Sequence, residues 1–358
     1  MLKQFCFSEV TMNGFDWRAQ EADLNLWLTQ FTRDIEVDGY GTLNIHYVHH
    51  KSKVANAIPL LFVHGWPGSF IEAKKVIPLL VEESPDHPSF HVVALSLPGF
   101  GFSTAPTKKG FKMQQYAEVC NKLMLSLGYN EYVTQGGDWG SIITREMAER
   151  YGGKHVKAFH TNFMFAATPH PFHQPMLLIK HLASWYTTQE KADIARSKAF
   201  KEGSGYHVEQ STKPQTIGYS LADSPVGLLA WIYEKLVSWT DSYPWTDDEV
   251  LTWISIYWFS RAGPAASVRI YYEFDKSGGL FVGNQAYIPT PHGVSTFPQE
   301  LLLLPISWVR AAANVVFQNR HERGGHFAAY ECPKELVGDV RNMFAKAGPA
   351  YGVDLRVN

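Results

Sequence analysis

The chain has 358 residues, with 32 Lys+Arg against 34 Asp+Glu and a formal net charge of −2. With 45% hydrophobic and 18% charged residues it has the make-up of a globular protein rather than a disordered one. That charge balance gives no electrostatic case for nucleic acid or an anionic membrane surface as a partner. No run approaches the ~20 apolar residues of a membrane span, and no secretory leader is visible at the start. The three cysteines, Cys6, Cys120 and Cys332, are widely spaced without a CxxC pair. Neither a disulfide framework nor a zinc site is therefore expected, and the expected location is the cytoplasm.

In chain order, Ile35 to His50 alternates around Asp38-Gly39 and predicts a hairpin. A short buried strand is expected over Pro59 to Val63, ending in His64-Gly65-Trp66-Pro67-Gly68, with a helix from about Ser69 to Val81. The next strand, Phe90 to Leu97, is closed by Pro98-Gly99-Phe100-Gly101, and helical spacing returns from Lys112 to Leu127. Tyr132 to Gln135 reads as a strand, Ile142 to Tyr151 as a helix and Val156 to Thr161 as a strand. This alternation predicts an α/β fold, a mostly parallel sheet with helices on both faces. The rhythm breaks from about Phe163 to Tyr272, a stretch rich in Trp, Tyr, Leu and Ala that predicts an inserted helical lid. Strands are expected again at Gln285 to Pro289 and Asn314 to Gln318, then a last helix from Pro333 to Phe344. The expected division is a core over 1–162, the lid over 163–272 and the rest of the core over 273–358.

Gly136-Gly137-Asp138-Trp139-Gly140 lies between a predicted strand and a predicted helix. Two readings compete. Asp138 is a helix-capping loop residue, or it is the nucleophile of the tight turn that α/β-hydrolases build from small residues around a reactive side chain. The strand before and the helix after favour the second. A carboxylate in that place suits displacement at a saturated carbon, giving an alkyl ester on the enzyme that water then hydrolyses. His64-Gly65-Trp66-Pro67 follows the early strand, where this fold places an oxyanion loop. The backbone N–H groups of Trp66 and Trp139 are the expected oxyanion donors, with His64 structural. Among 15 histidines, His326 stands out in Arg323-Gly324-Gly325-His326-Phe327, after the last strand and before the last helix. His46, His160 and His181 read as packing or surface residues. Glu300 and Glu322 are the candidate partners for His326, and Glu300 holds the expected position after the penultimate strand.

These residues resemble the epoxide hydrolases related to the microsomal enzyme and its soluble fungal counterparts. The likeness rests on Phe15-Asp16-Trp17-Arg18, His64 to Phe70, Gly136 to Ser141, Asp223-Ser224-Pro225-Val226-Gly227-Leu228 and Arg323 to Ala329. It implies the α/β-hydrolase fold and hydrolysis of an epoxide to a diol. It also implies two lid tyrosines that protonate the epoxide oxygen, matched to Tyr206 and Tyr271, although there are 17 tyrosines and Tyr272 adjoins one of the pair. No cofactor or metal is implied. The expected partner is a small hydrophobic epoxide, with no nucleic acid and no membrane anchor, and a homodimer as the candidate assembly. Relatives carry a longer N-terminal segment, whereas about thirty residues precede the hairpin here, so the wrapping segment is expected to be short or truncated. Two alternatives remain: a haloalkane or haloacid dehalogenase with the same Asp nucleophile, and a non-catalytic α/β-hydrolase that only binds ligand.

Overall fold

The computed structural model describes residues 14–353 except 165, 167, 168, 173 and 280–285. Cys6 and the predicted strand start at Gln285 lie outside the described residues; Cys120 and Cys332 are free and buried.

Among the described residues Asp16 opens the first helix, α1 (Trp17–Trp27), its carboxylate accepting the N–H groups of Arg18 and Ala19. Strands β1 (Gln30–Val37) and β2 (Gly41–His50) form the predicted antiparallel hairpin. They edge an eight-stranded sheet in the order β1-β2-β4-β3-β5-β6-β7-β8, with β3 (Ile58–Val63), β4 (Phe90–Leu95), β5 (Tyr132–Gly136), β6 (Val156–Thr161), β7 (Ile288–Thr296) and β8 (Ala313–Arg320). From β4 to β8 every pairing is parallel. Such strands are covered on both faces, which is why β3 and most of β4 read as continuous apolar runs rather than alternating ones. Helices α2 (Val76–Val81), α3 (Met113–Ser126) and α4 (Trp139–Tyr151) cover this half of the sheet.

The chain steps from β3 to β4 on one side and then crosses to β5 on the other. Connections therefore leave β3 and β5 in opposite directions and open a crevice at their carboxyl ends, the usual ligand position in open α/β sheets. His64 to Gly68 and Asp138 both emerge there.

Between β6 and β7 the described residues form seven helices: α5 (Pro175–Leu182), α6 (Thr188–Glu202), α7 (Gly205–Thr212), α8 (Pro214–Asp223), α9 (Pro225–Ser238), α10 (Asp247–Trp258) and α11 (Arg269–Lys276). Helices α12 (Ile306–Ala312), α13 (Ala328–Glu331) and α14 (Pro333–Phe344) complete the fold. None of the described helices is long and apolar enough to cross a membrane.

Four elements depart from expectation. The helix expected from Ser69 to Val81 is a 3-10 turn over Phe70–Lys74 followed by α2. Pro78 thereby falls in the first turn of α2, where a missing N–H leaves no bond unmade. Strand β7 begins at Ile288 and runs to Thr296, past Pro289 and Pro291. The prolines coincide with a register irregularity between Ile288 and His292, so pairing resumes beyond them. Helix α4 starts at Trp139, directly after Asp138, and α11 carries the inserted helices on to Lys276.

Candidate active site

Asp138 is the pivot between β5 and α4, with φ 48° and ψ −129°. For a side chain with a Cβ this conformation costs about 1–3 kcal/mol, so the surroundings must enforce it. They do so with backbone. A Cβ on Gly140 would lie 1.9 Å from the Val63 carbonyl oxygen, so only glycine lets α4 approach β3 this closely. A Cβ on Gly65 would fall 2.1 Å from Asp138 Oδ1. The Ser141 N–H and hydroxyl donate to the Asp138 carbonyl at 3.0 and 2.6 Å, closing the turn from within.

The carboxylate is held by two groups. Trp66 N–H donates to Asp138 Oδ1 at 2.7 Å, and His326 Nε2 lies 3.4 Å from Oδ2. On its other side, His326 Nδ1 lies 2.6 Å from Glu300 Oε1, which also accepts the Leu301 N–H. Glu300 is buried four residues after β7 ends, whereas Glu322 is exposed, so the structure brings the first of the two candidate acids to the histidine. Burial by itself lowers the pKa of His326. The charges of Glu300 and Asp138, with hydrogen bonds to both, outweigh it and hold the imidazole at about 10.

His64 sits inside the loop after β3 in one tautomer. Nε2 accepts the Leu97 N–H at 3.1 Å and Nδ1 faces the Gly65 carbonyl at 3.0 Å; burial pushes its pKa down to about 4. A neutral ring with both nitrogens used is a structural group. His46 and His160 are likewise buried and hydrogen-bonded to serines, and His181 contacts Tyr186.

Aromatic rings roof the carboxylate. Tyr206, from α7, stacks on Trp66 at 5.4 Å, and Tyr271, from α11, meets Trp66 edge-on at 5.6 Å and Trp139 at 4.8 Å. The two tyrosine rings are 6.0 Å apart. Burial raises the pKa of both, and the charge of Asp138 adds to it, so each hydroxyl keeps its proton at neutral pH. Tyr272 instead packs beneath Lys276 Nζ. Residues more than a hundred positions apart in sequence, on a helical insertion and on the sheet, thus converge on one carboxylate.

With that arrangement in view, the chain matches two family models: the epoxide hydrolase N terminus over residues 7–73 and the alpha/beta hydrolase fold over residues 58–249. It is 37% identical to epoxide hydrolase 1 of Sus scrofa over 92% of this chain and 77% of that protein. The structure of the Aspergillus niger epoxide hydrolase superposes with a TM-score of 0.78 at 38% identity, covering 93% of this chain and 82% of that one. The juvenile hormone epoxide hydrolase of Bombyx mori superposes with a TM-score of 0.79 at 32% identity, covering 91% and 80%. The chain belongs to the epoxide hydrolase family.

Within that enzyme family the site has members that motif reading passed over. Glu72, buried in the 3-10 turn, raised to about 8 mainly by burial and also by the Asp138 charge, lines the same cavity as Asp138 and His326. Asn162, just past β6, lines it too and accepts from Gln135 at 2.8 Å. For Glu72 the only sequence signal is a carboxylate between Ile71 and Ala73 in an apolar stretch, and spacing alone does not say which way it faces. Trp239 meets His326 edge-on at 5.1 Å, and its carbonyl accepts the His326 N–H. One tryptophan among 11 carried no mark of that role.

Proposed function

We propose that this epoxide hydrolase opens a small hydrophobic epoxide in two steps, with Asp138 as nucleophile, His326 as base, Glu300 as its orienting acid and Tyr206 and Tyr271 as proton donors. The observation that carries the reading is the double hold on Asp138: one oxygen on a backbone N–H, the other beside an imidazole backed by a buried carboxylate.

In the first step a carboxylate oxygen of Asp138 attacks an epoxide carbon. The C–O bond of the ring breaks, and the alkoxide takes a proton from one of the tyrosines. The acyl oxygen already rests on the Trp66 N–H, and the Trp139 N–H at the start of α4 is the second oxyanion donor. Esterification removes the Asp138 charge. One of the two charges that keep His326 protonated disappears, so the imidazolium passes its proton to the tyrosine phenolate and becomes a competent base. In the second step water gives a proton to His326 and bonds to the Asp138 acyl carbon. Collapse releases the diol with the proton from His326, and the Asp138 acid returns its own proton to His326, restoring the resting site. The sum is epoxide plus water giving a vicinal diol.

The helices from 163 to about 276 serve as the lid, and the rings they supply suit an apolar substituent. The tyrosines favour this reading over dehalogenation, because an alkoxide needs a proton and a halide leaves without one. The test is His326→Gln incubated with styrene oxide. Its intact mass is expected to rise by one epoxide, because the ester forms and no base activates water. An unmodified protein that still binds the epoxide overturns the covalent route, and halide release from alkyl halides faster than epoxide opening would transfer the assignment to a dehalogenase.

A further inference from the structure

The cavity beside Asp138 has a volume of about 10 Å³, room for about one water. Four polar side chains line it: Glu72, Asp138, Asn162 and His326. The first has no part in the two-step scheme. Its carboxyl reaches into space left by a missing side chain, since a Cβ on Gly68 would lie 1.7 Å from Glu72 Oε1. The cavity and the bare backbone at Gly68 together let a carboxyl from the 3-10 turn face the ester position.

We propose that Glu72 binds the attacking water of the second step as a neutral carboxylic acid, fixing the direction of its lone pair. This rests on the two-step reading above. A water that gives one proton to His326 Nε2 has a second O–H to place. If that O–H is unheld, the lone pair aimed at the Asp138 acyl carbon wanders, and near-attack geometry is lost. The carbonyl oxygen of Glu72 accepts this second O–H. Asn162 Oδ1 already accepts from Gln135 and so is aimed at that side chain, whereas the Glu72 carboxyl adjoins the cavity through the bare backbone at Gly68. In the step itself one water O–H bond breaks, its proton goes to His326 and the new O–C bond forms at Asp138, while Glu72 gains and loses nothing.

The neutral form matters because a second carboxylate beside the growing oxyanion would oppose it. The titratable groups facing Glu72 are Asp138 from the elbow, His326 from the loop before α13 and Tyr257 from α10. Burial is the main cause that keeps the acid protonated up to about pH 8, the Asp138 charge adding to it and the His326 charge opposing it.

The full-length variants Glu72→Ala and Glu72→Gln separate this role from a structural one, with styrene oxide as probe in single-turnover kinetics. Ester formation in Glu72→Ala is expected within about threefold of wild type, with ester hydrolysis slower by about 10–100-fold, so the adduct accumulates by mass. Glu72→Gln, which keeps a carbonyl acceptor and a neutral charge, is expected to hydrolyse the ester within about fivefold of wild type. It should also lose any alkaline decline in hydrolysis that ionisation of Glu72 causes in the wild type. The proposal is overturned by hydrolysis at the wild-type rate in Glu72→Ala, by equal losses in both steps, or by a Glu72→Gln that stalls as Glu72→Ala does. Absence of adduct from both Glu72→Ala and His326→Gln would instead overturn the covalent reading beneath it.

Discussion

The turn at Asp138 and the three loops that face it are held in different ways. The turn around Asp138 is closed by its own neighbours: Ser141 on the Asp138 carbonyl, and Gly140 against β3. The other three loops are tied to the inserted helices. Trp253 Nε1 and Tyr257 OH, both on α10, donate to the carbonyls of Pro67 and Gly68 at 2.6 Å each. Arg196 on α6 donates to the carbonyls of Gln299 and Glu300 at 2.9 and 3.0 Å, and Ser197 exchanges two bonds with the Leu303 backbone. A bidentate Asp193–Arg320 pair at 2.8 Å anchors the same helix to β8. At the histidine loop, Trp239 O accepts the His326 N–H at 2.8 Å and Asp241 accepts the Gly324 N–H at 2.9 Å. The strained turn at Asp138 is therefore a property of the sheet, while the loops that carry Trp66, Glu300 and His326 depend on the insertion for their positions. Disturbing the insertion is expected to affect water activation before it affects nucleophile geometry.

The largest effect is expected inside the turn. Asp138→Ala should reduce diol formation by at least about 10⁴-fold while retaining a cooperative thermal transition, because the removed group carries chemistry and not packing. Turnover near wild type would break the comparison at its first term.

The tyrosines test whether the insertion supplies chemistry as well as support. Tyr206→Phe plus Tyr271→Phe should slow ester formation by about 10²–10⁴-fold and leave ester hydrolysis unchanged. Each single variant keeps one donor, so its loss should be partial and the pair non-additive. Wild-type ring opening by the double variant would reject the assignment.

Arg196→Met sharpens the contrast. It removes two hydrogen bonds to the acid loop and touches neither the turn nor the tyrosines. Ester hydrolysis is expected to slow by about tenfold, up to about 10²-fold if Glu300 shifts by an ångström, with ester formation preserved. Equal slowing of both steps would show that the insertion moves the nucleophile too.

The smallest effect concerns stability. Glu72 holds a proton in the folded protein up to about pH 8 against an ordinary value of 4.5. Between those values the folded state binds a proton the unfolded state lacks, so the stabilising contribution is present below about pH 4.5 and is lost as pH rises through 8. Glu72→Gln should flatten the fall in Tm across that window, read by thermal denaturation at a series of pH values. Parallel curves for the two proteins would contradict a buried acid.

Sequence alone determined the alternation of strands and helices from the hairpin to β6, the tight turn at Asp138 and the chain order of Asp138, Glu300 and His326. Each of these rests on local pattern: an apolar run, a glycine at a tight approach, a loop at a set place between elements. Helix α14 matches its expected limits, Pro333 to Phe344, because proline at its start and apolar periodicity within it are local signals. Tyr206 and Tyr271 were legible only by likeness to a family, since nothing local distinguishes them among 17 tyrosines. Tertiary structure decided the rest. It showed that Pro78 divides a helix, that β7 runs beyond its two prolines, and that Arg196, Trp239 and Trp253 hold loops far away in sequence. It also placed Glu72 beside Asp138. The physical reason is common to all of these: a hydrogen bond or a buried charge depends on which residues the crossing chain brings within about 3 Å, and no local spacing encodes that distance.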